Sequence, residues 1–405
     1  MSIRMSRRSF LVGGASAAAA WSLPSWALSA EVGRDREAQI DALDAIVERS
    51  LHAGACPGVS LRIYRQGKPR VARDFGMANL ETGAHIDGGS VFRIGSLTKQ
   101  FVAAMVVLLA SKGRLDLDAP ASHYLPCFAG QSPFTLRELL THTAGLHDDE
   151  QAVSCPAGPH GVRTQREQAA EIAAQRPLFD FPPGTAWLYS NANYIVLGAV
   201  VEVVTGMPLA KAASTLVFAP LGLRHTAFDD TREVVEGRVS GYTPVDGQPE
   251  RFEHAAFIEI ADAGGAGAMR STADELCAWH QALFSGRLMP AAFVRQMITP
   301  GRLRDGRLSG ANRHSAADAV YGETQYGMGL LLTPPSGGHR SVMHYGFING
   351  FAACLESFLD VGVTVAILCN GDMGPNMPFR DLRRAVVAAW LGGLPPDETS
   401  RWVRP

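Results

Sequence analysis

Two kinds of apolar spacing divide this chain, and their order limits its architecture more than any other feature. Near the N-terminus, "AQIDALDAIVERSL" has apolar residues at helical spacing, and "PGVSLRIYRQGKPRVARDFGMANL" follows with two strand-like runs about a Gln66-Gly67 turn. Near the C-terminus, "YGMGLLL", "HRSVMHYG", "FAACLESFL" and "GVTVAILC" alternate or run apolar between glycine-containing or polar breaks, as antiparallel strands do. Between these ends, residues from about 120 to 255 are dominated by helix-period segments. The order predicts an α+β fold. Strands from both ends of the chain share one antiparallel sheet flanked by helices, and a mostly helical lobe is inserted between them.

Local signals sharpen the elements. Phe101, Ala104, Met105 and Leu108 fall at i, i+3, i+4 and i+7 and Gly113 supplies a stop, which predicts a helix over 97–112 with one buried face. Thr135 with Glu138, Thr164 with Glu167 and Thr272 with Glu275 each pair a hydroxyl cap with a glutamate three residues on, the pattern of a capping box. "PFRDLRRAVVAAWL" reads as a final helix able to cover one sheet face. At 405 residues and 46% apolar, the chain is long enough for a sizeable core. Its net charge of −2 is spread without basic or acidic blocks, which argues against a nucleic-acid groove or an electrostatic membrane patch.

The first thirty residues read as an address rather than as fold. "MSIRMSRRSFLVGGASAAAAWSLPSWALSA" runs from arginines through a weakly apolar stretch to small residues, the plan of a cleavable export signal. Ser6-Arg7-Arg8-Ser9-Phe10-Leu11 is similar to a twin-arginine signal. The expectation is a signal over 1–30, one domain over 31–405 and a periplasmic or secreted protein, with no later run long enough to span a membrane. Six cysteines, at 56, 127, 155, 277, 354 and 369, show no metal-ligand spacing and are expected to be mostly free thiols, with Cys277 and Cys369 in the core.

The chemistry is concentrated in "FRIGSLTKQFV". Lysine is scarce here: only Lys68, Lys99, Lys112 and Lys211 occur, and every other basic side chain apart from histidine is arginine. Lys99 follows Ser96 by three residues at a helix N-terminus, so the two side chains share a face. A serine hydroxyl needs a base to become a nucleophile; lysine turns neutral when buried, whereas arginine keeps its proton. A capping serine followed by a surface lysine is the plain alternative. Tyr189-Ser190-Asn191 follows a Pro-Gly turn and precedes a long apolar helix. There a tyrosine can relay a proton and an asparagine can orient an amide, or the tyrosine packs and Asn191 caps the helix. His344-Tyr345-Gly346 sits in a strand, where histidine can carry a proton and Gly346 would let a substrate backbone approach, or where His344 is simply structural.

Together and in this order, the three motifs resemble the penicillin-recognising serine hydrolases: class C β-lactamases, D-alanyl-D-alanine carboxypeptidases, D-aminopeptidases and related esterases. The likeness runs from about 40 to 390 and includes "LLTHTAGL", "PPGTAWLYSNANY", "FAPLGLRHTAF", "GAGAMRSTADELCAWHQAL" and "YGMGL". It implies Ser96 as the acylated nucleophile, Lys99 as its proton acceptor, Tyr189 as second acid/base and Asn191 as a substrate contact. It also implies the backbone N–H groups of Ser96 and Phe347 as an oxyanion hole, with His344 and Gly346 lining the substrate strand. No cofactor or metal is implied, and the substrate would be a small molecule or peptide, peptidoglycan fragments included. The family's β-lactamases have Lys-Thr-Gly as third motif; His344 and Tyr345 in its place weaken carboxylate capture, so peptidase or esterase activity is expected over efficient β-lactam hydrolysis. The alternatives are a binding or regulatory protein that keeps the fold without catalysis, and a metal site built from His142, His147, Asp148 and Asp149. A Ser-His-Asp hydrolase is disfavoured because the sequence has no Gly-x-Ser-x-Gly elbow.

Overall fold

The computed structural model describes residues 25–148, 163–335, 338–374 and 376–391. The expected export signal, but for its end, lies outside them, as do Asp149 and Cys155. The chain divides into two compact units, Met1–Asp41 and Ala42–Pro405. The first is described from Ser25, where helix α1 (Ser25–His52) begins; the sheet and the cavity described below belong to the second.

Gln66 and Gly67 both take positive φ, 50° and 71°, the two-residue turn whose twist matches its flanking strands. They join β1 (Gly58–Arg65) to β2 (Lys68–Asn79), and β3 (Ala84–His85) extends that edge. The other strands of the main sheet come from the far end of the chain: β9 (Gln325–Tyr326), β10 (Leu331–Leu332), β11 (Val342–Ile348), β12 (Phe351–Phe358) and β13 (Val363–Cys369). The order β3-β2-β1-β13-β12-β11-β10-β9 is antiparallel throughout, and β1 meets β13 from Val59↔Cys369 to Arg65↔Val363. The two ends of the chain therefore build one sheet, as the spacing predicts. A small sheet places β8 (Met269–Ser271) between β4 (Phe92–Arg93) and β5 (Ala227–Phe228), and β6 (Tyr242–Val245) pairs with β7 (Gln248–His254).

Helices α2 (Thr98–Ser111), α3 (Leu136–Leu140), α4 (Gln165–Ala174), α5 (Asn191–Thr205), α6 (Leu209–Ala213) and α7 (Ala219–Leu221) precede the short α8 (Gly264–Gly267). Then come α9 (Ala273–Phe284), α10 (Ala291–Met297) and α11 (Phe379–Trp390). Alternation along β12 shows which helix covers which face. Ser357 Oγ meets His280 Nδ1 of α9 at 2.8 Å, while its neighbour Glu356, pointing the other way, meets Arg383 Nε of α11 at 2.9 Å. No single described helix is long and apolar enough to cross a membrane.

Three expectations change in detail. The helix over 97–112 begins with a 3-10 turn, Gly95–Leu97, and α2 is buried on every side from Thr98 to Leu109 rather than along one face, with Phe101 stacked on Trp279 at 4.2 Å. An apolar run this dense has no polar stripe to reveal a second contact surface. The Thr135 and Thr164 capping boxes form as read, but Thr272 keeps only half of its box. Glu275 turns its carboxylate to the backbone N–H groups of Arg224, His225 and Thr226 at 2.7–3.0 Å, which tie the preceding loop to α9. The stretch over 120–255 also holds the β6–β7 hairpin; β7 has no buried residue, so no alternation marks it. Cys56, Cys277, Cys354 and Cys369 are buried free thiols and Cys127 an exposed one.

Candidate active site

Ser96 is placed by a contact between backbones. Gly95 has φ of 48°, and a Cβ there would lie 2.7 Å from the Phe347 nitrogen of β11; a Cβ on Gly346 would lie 1.9 Å from the Ile94 carbonyl oxygen. Only glycine at both positions lets the turn and the strand touch. The space that Gly346 leaves on this side is filled by the chain's own Ile94, so its missing side chain serves the placement of Ser96. Upstream, Arg93 belongs to β4, whose partner β8 carries Arg270; both guanidiniums bind buried Asp229, at 2.9 Å each, and Arg238 adds a third contact at 2.9 Å.

The second residue of α2, Lys99, is fully buried. Its Nζ lies 2.8 Å from Ser96 Oγ, 2.8 Å from Asn191 Oδ1 and 2.8 Å from the Ala266 carbonyl oxygen. Asn191 opens α5 and Ala266 lies in α8, so three elements meet at one amine. Burial lowers its pKa to about 7, against a smaller opposing pull from the Asp148 carboxylate. A neutral amine has two N–H donors and one lone pair. Asn191 Oδ1 and the Ala266 carbonyl can only accept, so they take the two donors and the lone pair is left facing the Ser96 hydroxyl.

The orientation of Asn191 is set from behind. Asp148 Oδ2 accepts from the Asn191 backbone N–H at 2.7 Å and from Nδ2 at 3.1 Å, which turns Oδ1 towards Lys99. Tyr189, on the loop before α5, shares a hydrogen bond with Ser96, and its ring centroid lies 4.8 Å from Lys99 Nζ. Burial holds its phenol well above the ordinary pKa of 10, so it stays protonated. His142, with φ of 57°, backs this loop: its Nδ1 accepts from Ser190 N–H at 3.2 Å and from Asn193 Nδ2 at 3.0 Å, and its ring lies 4.5 Å from that of Tyr189.

On β11, His344 is 3% exposed, and its Nε2 lies 3.0 Å from the Tyr326 hydroxyl. Burial, and secondarily the Lys99 charge, lower its pKa to about 3, so it stands at the third motif as a neutral ring. The next two positions on the opposite face, Tyr345 and Phe347, stack at 6.0 Å and continue through Tyr345 to Phe379 of α11 at 6.0 Å. A cavity of about 970 Å³ opens over Ser96, Tyr189 and Asn191 and is walled by His344, Tyr345 and Phe347. Of the expected site residues, Ser96, Lys99, Tyr189 and Asn191 converge through hydrogen bonds or ring contact, His344 and Phe347 line the cavity, and Gly346 does not. The metal alternative does not assemble among the described residues: His142 faces Asn193, whereas His147 Nδ1 bonds Asp180 at 2.7 Å and Asp148 bonds Asn191. Asp148, His142 and the Ala266 carbonyl were missed as parts of the serine site. The one signal for the first two was their place in "HTAGLHD", which His142 opens and Asp148 closes.

Comparison with known proteins agrees with this geometry. The family model described as Beta-lactamase matches residues 43–389. Penicillin-binding protein 4* of Bacillus subtilis (strain 168) is 26% identical over 305 residues, covering 73% of this chain and 64% of that protein. Esterase EstB of Burkholderia gladioli is 35% identical over 240 residues, covering 56% of this chain and 60% of that one. The chain thus spans less than two thirds of the length of either relative. A D-stereospecific amidohydrolase from Streptomyces sp. superposes with a TM-score of 0.69 at 28% identity, covering 88% of this chain and 99% of that one.

Proposed function

This chain belongs to the beta-lactamase family, a family of serine hydrolases with esterase, amidase and penicillin-binding relatives, and from that premise we propose that it hydrolyses an ester or amide through an acyl-enzyme on Ser96. The observation that carries the reading is the hydrogen-bond arithmetic at Lys99: two acceptor-only partners consume its donors and its lone pair meets the serine hydroxyl. Ser96 Oγ attacks the carbonyl carbon as its proton passes to Nζ, and the carbonyl oxygen becomes an oxyanion held by the Ser96 and Phe347 N–H groups. Collapse expels the leaving group, which takes a proton from Lys99 through the Tyr189 phenol. Water then repeats the sequence on the ester and restores Ser96. Tyr189 serves as a proton donor and relay rather than as a resident phenolate, because burial disfavours its anion. Esters and amides without a carboxylate at the third-motif side fit best, since neutral His344 supplies no cation there.

Export is part of the proposal, supported by the twin-arginine-like Ser6–Leu11 stretch; peptidoglycan fragments would be within reach of such a protein. The test is labelling with a fluorophosphonate read by intact-mass and peptide mass spectrometry. One adduct on Ser96, absent from Ser96→Ala, is expected. An adduct that persists in Ser96→Ala overturns the assignment, and no adduct on a folded wild-type protein favours a catalytically silent binding protein.

A further inference from the structure

Resting on the reading of Lys99 as the base for Ser96, we propose that Gln165 of α4 is a positioning residue for that base. It fixes the Ala266 carbonyl that engages one N–H of the amine, and so aims the lone pair at the serine hydroxyl.

Ala266 belongs to α8, a single turn of four residues, Gly264–Gly267. A turn this short cannot pair its own first N–H groups, so its position depends on outside partners. Gln165 supplies one: its Oε1 accepts from the Gly265 N–H at 2.8 Å. Lys99 supplies another, its Nζ donating to the carbonyl of the next residue, Ala266, at 2.8 Å. The N–H groups of a helical turn point to its start and the carbonyls to its end, so α8 is held between the carboxamide and the amine.

The carboxamide is itself locked in place. Gln165 is 5% exposed, and its Nε2 donates to Gln168 Oε1 at 3.3 Å. Glycines make room for it. A Cβ on Gly264, where φ is 45°, would lie 2.3 Å from Nε2, and one on Gly198 of α5 would lie 2.8 Å from Oε1. Gly265 lets α8 lie against α5, since a Cβ there would sit 2.4 Å from the Tyr194 carbonyl oxygen. Helix α5 opens with Asn191, so both acceptor-only partners of Lys99 ride on backbones in hard contact. With the Ala266 carbonyl displaced, an amine N–H is free to turn to Ser96 Oγ as acceptor, and the lone pair swings away from the proton that it must take.

The experiment follows fluorophosphonate labelling of Ser96 against pH, on variants shown to be folded by urea melts. Gln165→Met keeps length and burial and loses the acceptor. Arg163, paired with buried Asp262 at 2.9 Å, still ties the start of α4 to the segment that leads into α8. The ammonium form of Lys99 uses three acceptors, Ser96 Oγ, Asn191 Oδ1 and the Ala266 carbonyl, and the neutral form only two, so displacing the carbonyl costs the ammonium more. Gln165→Met is therefore expected to label about 10–100 times more slowly at the high-pH plateau, with the rising limb moved to lower pH. The described titratable groups that face Lys99, namely Asp148, His142, Tyr189, Tyr194 and His344, are the same in each protein. Gln165→Glu, which keeps an oxygen for the Gly265 N–H, should restore the plateau. Gly198→Ala, which crowds that oxygen from α5, should act in the same sense as Gln165→Met without touching Gln165. A wild-type plateau and limb in folded Gln165→Met, or in Gly198→Ala where only that variant folds, overturns the positioning role. A slower plateau with an unmoved limb also overturns it and leaves Gln165 a structural contact. Labelling that survives Ser96→Ala overturns the underlying reading of the site instead.

Discussion

The pH dependence of Ser96 acylation follows from Lys99. With a pKa of about 7, the amine is, among the described residues around Ser96, the group that changes protonation near neutrality: His142 and His344 are already neutral there, and Tyr189, Tyr194 and Tyr326 are held protonated by burial. The rate of fluorophosphonate labelling should therefore rise along a single limb, with about a tenth of the amine neutral at pH 6 and about a hundredth at pH 5. The Asp148 charge opposes the loss of the proton, so Asp148→Asn, which keeps an acceptor for the Asn191 N–H, should move the limb to lower pH. Stability carries the same signature. Between the folded value of about 7 and the ordinary 10.5, the unfolded chain keeps a proton that the native one has released, so the Lys99 contribution to stability increases as pH rises through that window. Lys99→Met should lose this slope in urea melts taken across the window. Labelling independent of pH from 5 to 8, or a limb that moves upward in Asp148→Asn, would refute the buried-amine argument.

Lys99→Arg, assayed on protein shown to be folded by its urea melt, should acylate about 10²–10⁴ times more slowly because a guanidinium holds its proton; near-normal labelling would reduce Lys99 to a structural cation. Gly346→Ala pushes a methyl against the Ile94 carbonyl, 1.9 Å from where its carbon would sit, so the turn must shift. Slower labelling of Ser96 and a stability loss of about 1–3 kcal/mol are expected, checked by intact-mass kinetics and urea melts.

Much of the scaffold was legible because burial on one side of an element leaves a period. The β1–β2 hairpin, the closing strands and the capping boxes at Thr135 and Thr164 all stand where spacing puts them. Ser96 and Lys99 were legible for a different reason: a lysine in an arginine-rich chain, one turn from a serine. What escaped detection has no signature of that kind. The Ala266 carbonyl belongs to the backbone, so no residue type announces it. Asp148 reaches Asn191 across 43 positions, and Glu275 abandons a local partner for backbone groups about 50 positions away. At Gly346 the missing side chain reveals that something comes close without revealing that it is the Ile94 carbonyl.

The two glycines facing each other across Ile94 and Phe347 act as a gauge block. The spacing between the serine turn and the strand edge is set by hard contact between main chains, which no rotamer change elsewhere can stretch. Substitutions in the helical lobe away from Asp148, Tyr189, Asn191 and the residues packed on Gln165 can therefore reshape what the cavity admits while leaving the reacting end in adjustment. A lineage built on this scaffold is free to explore new acyl groups without having to reinvent its nucleophile.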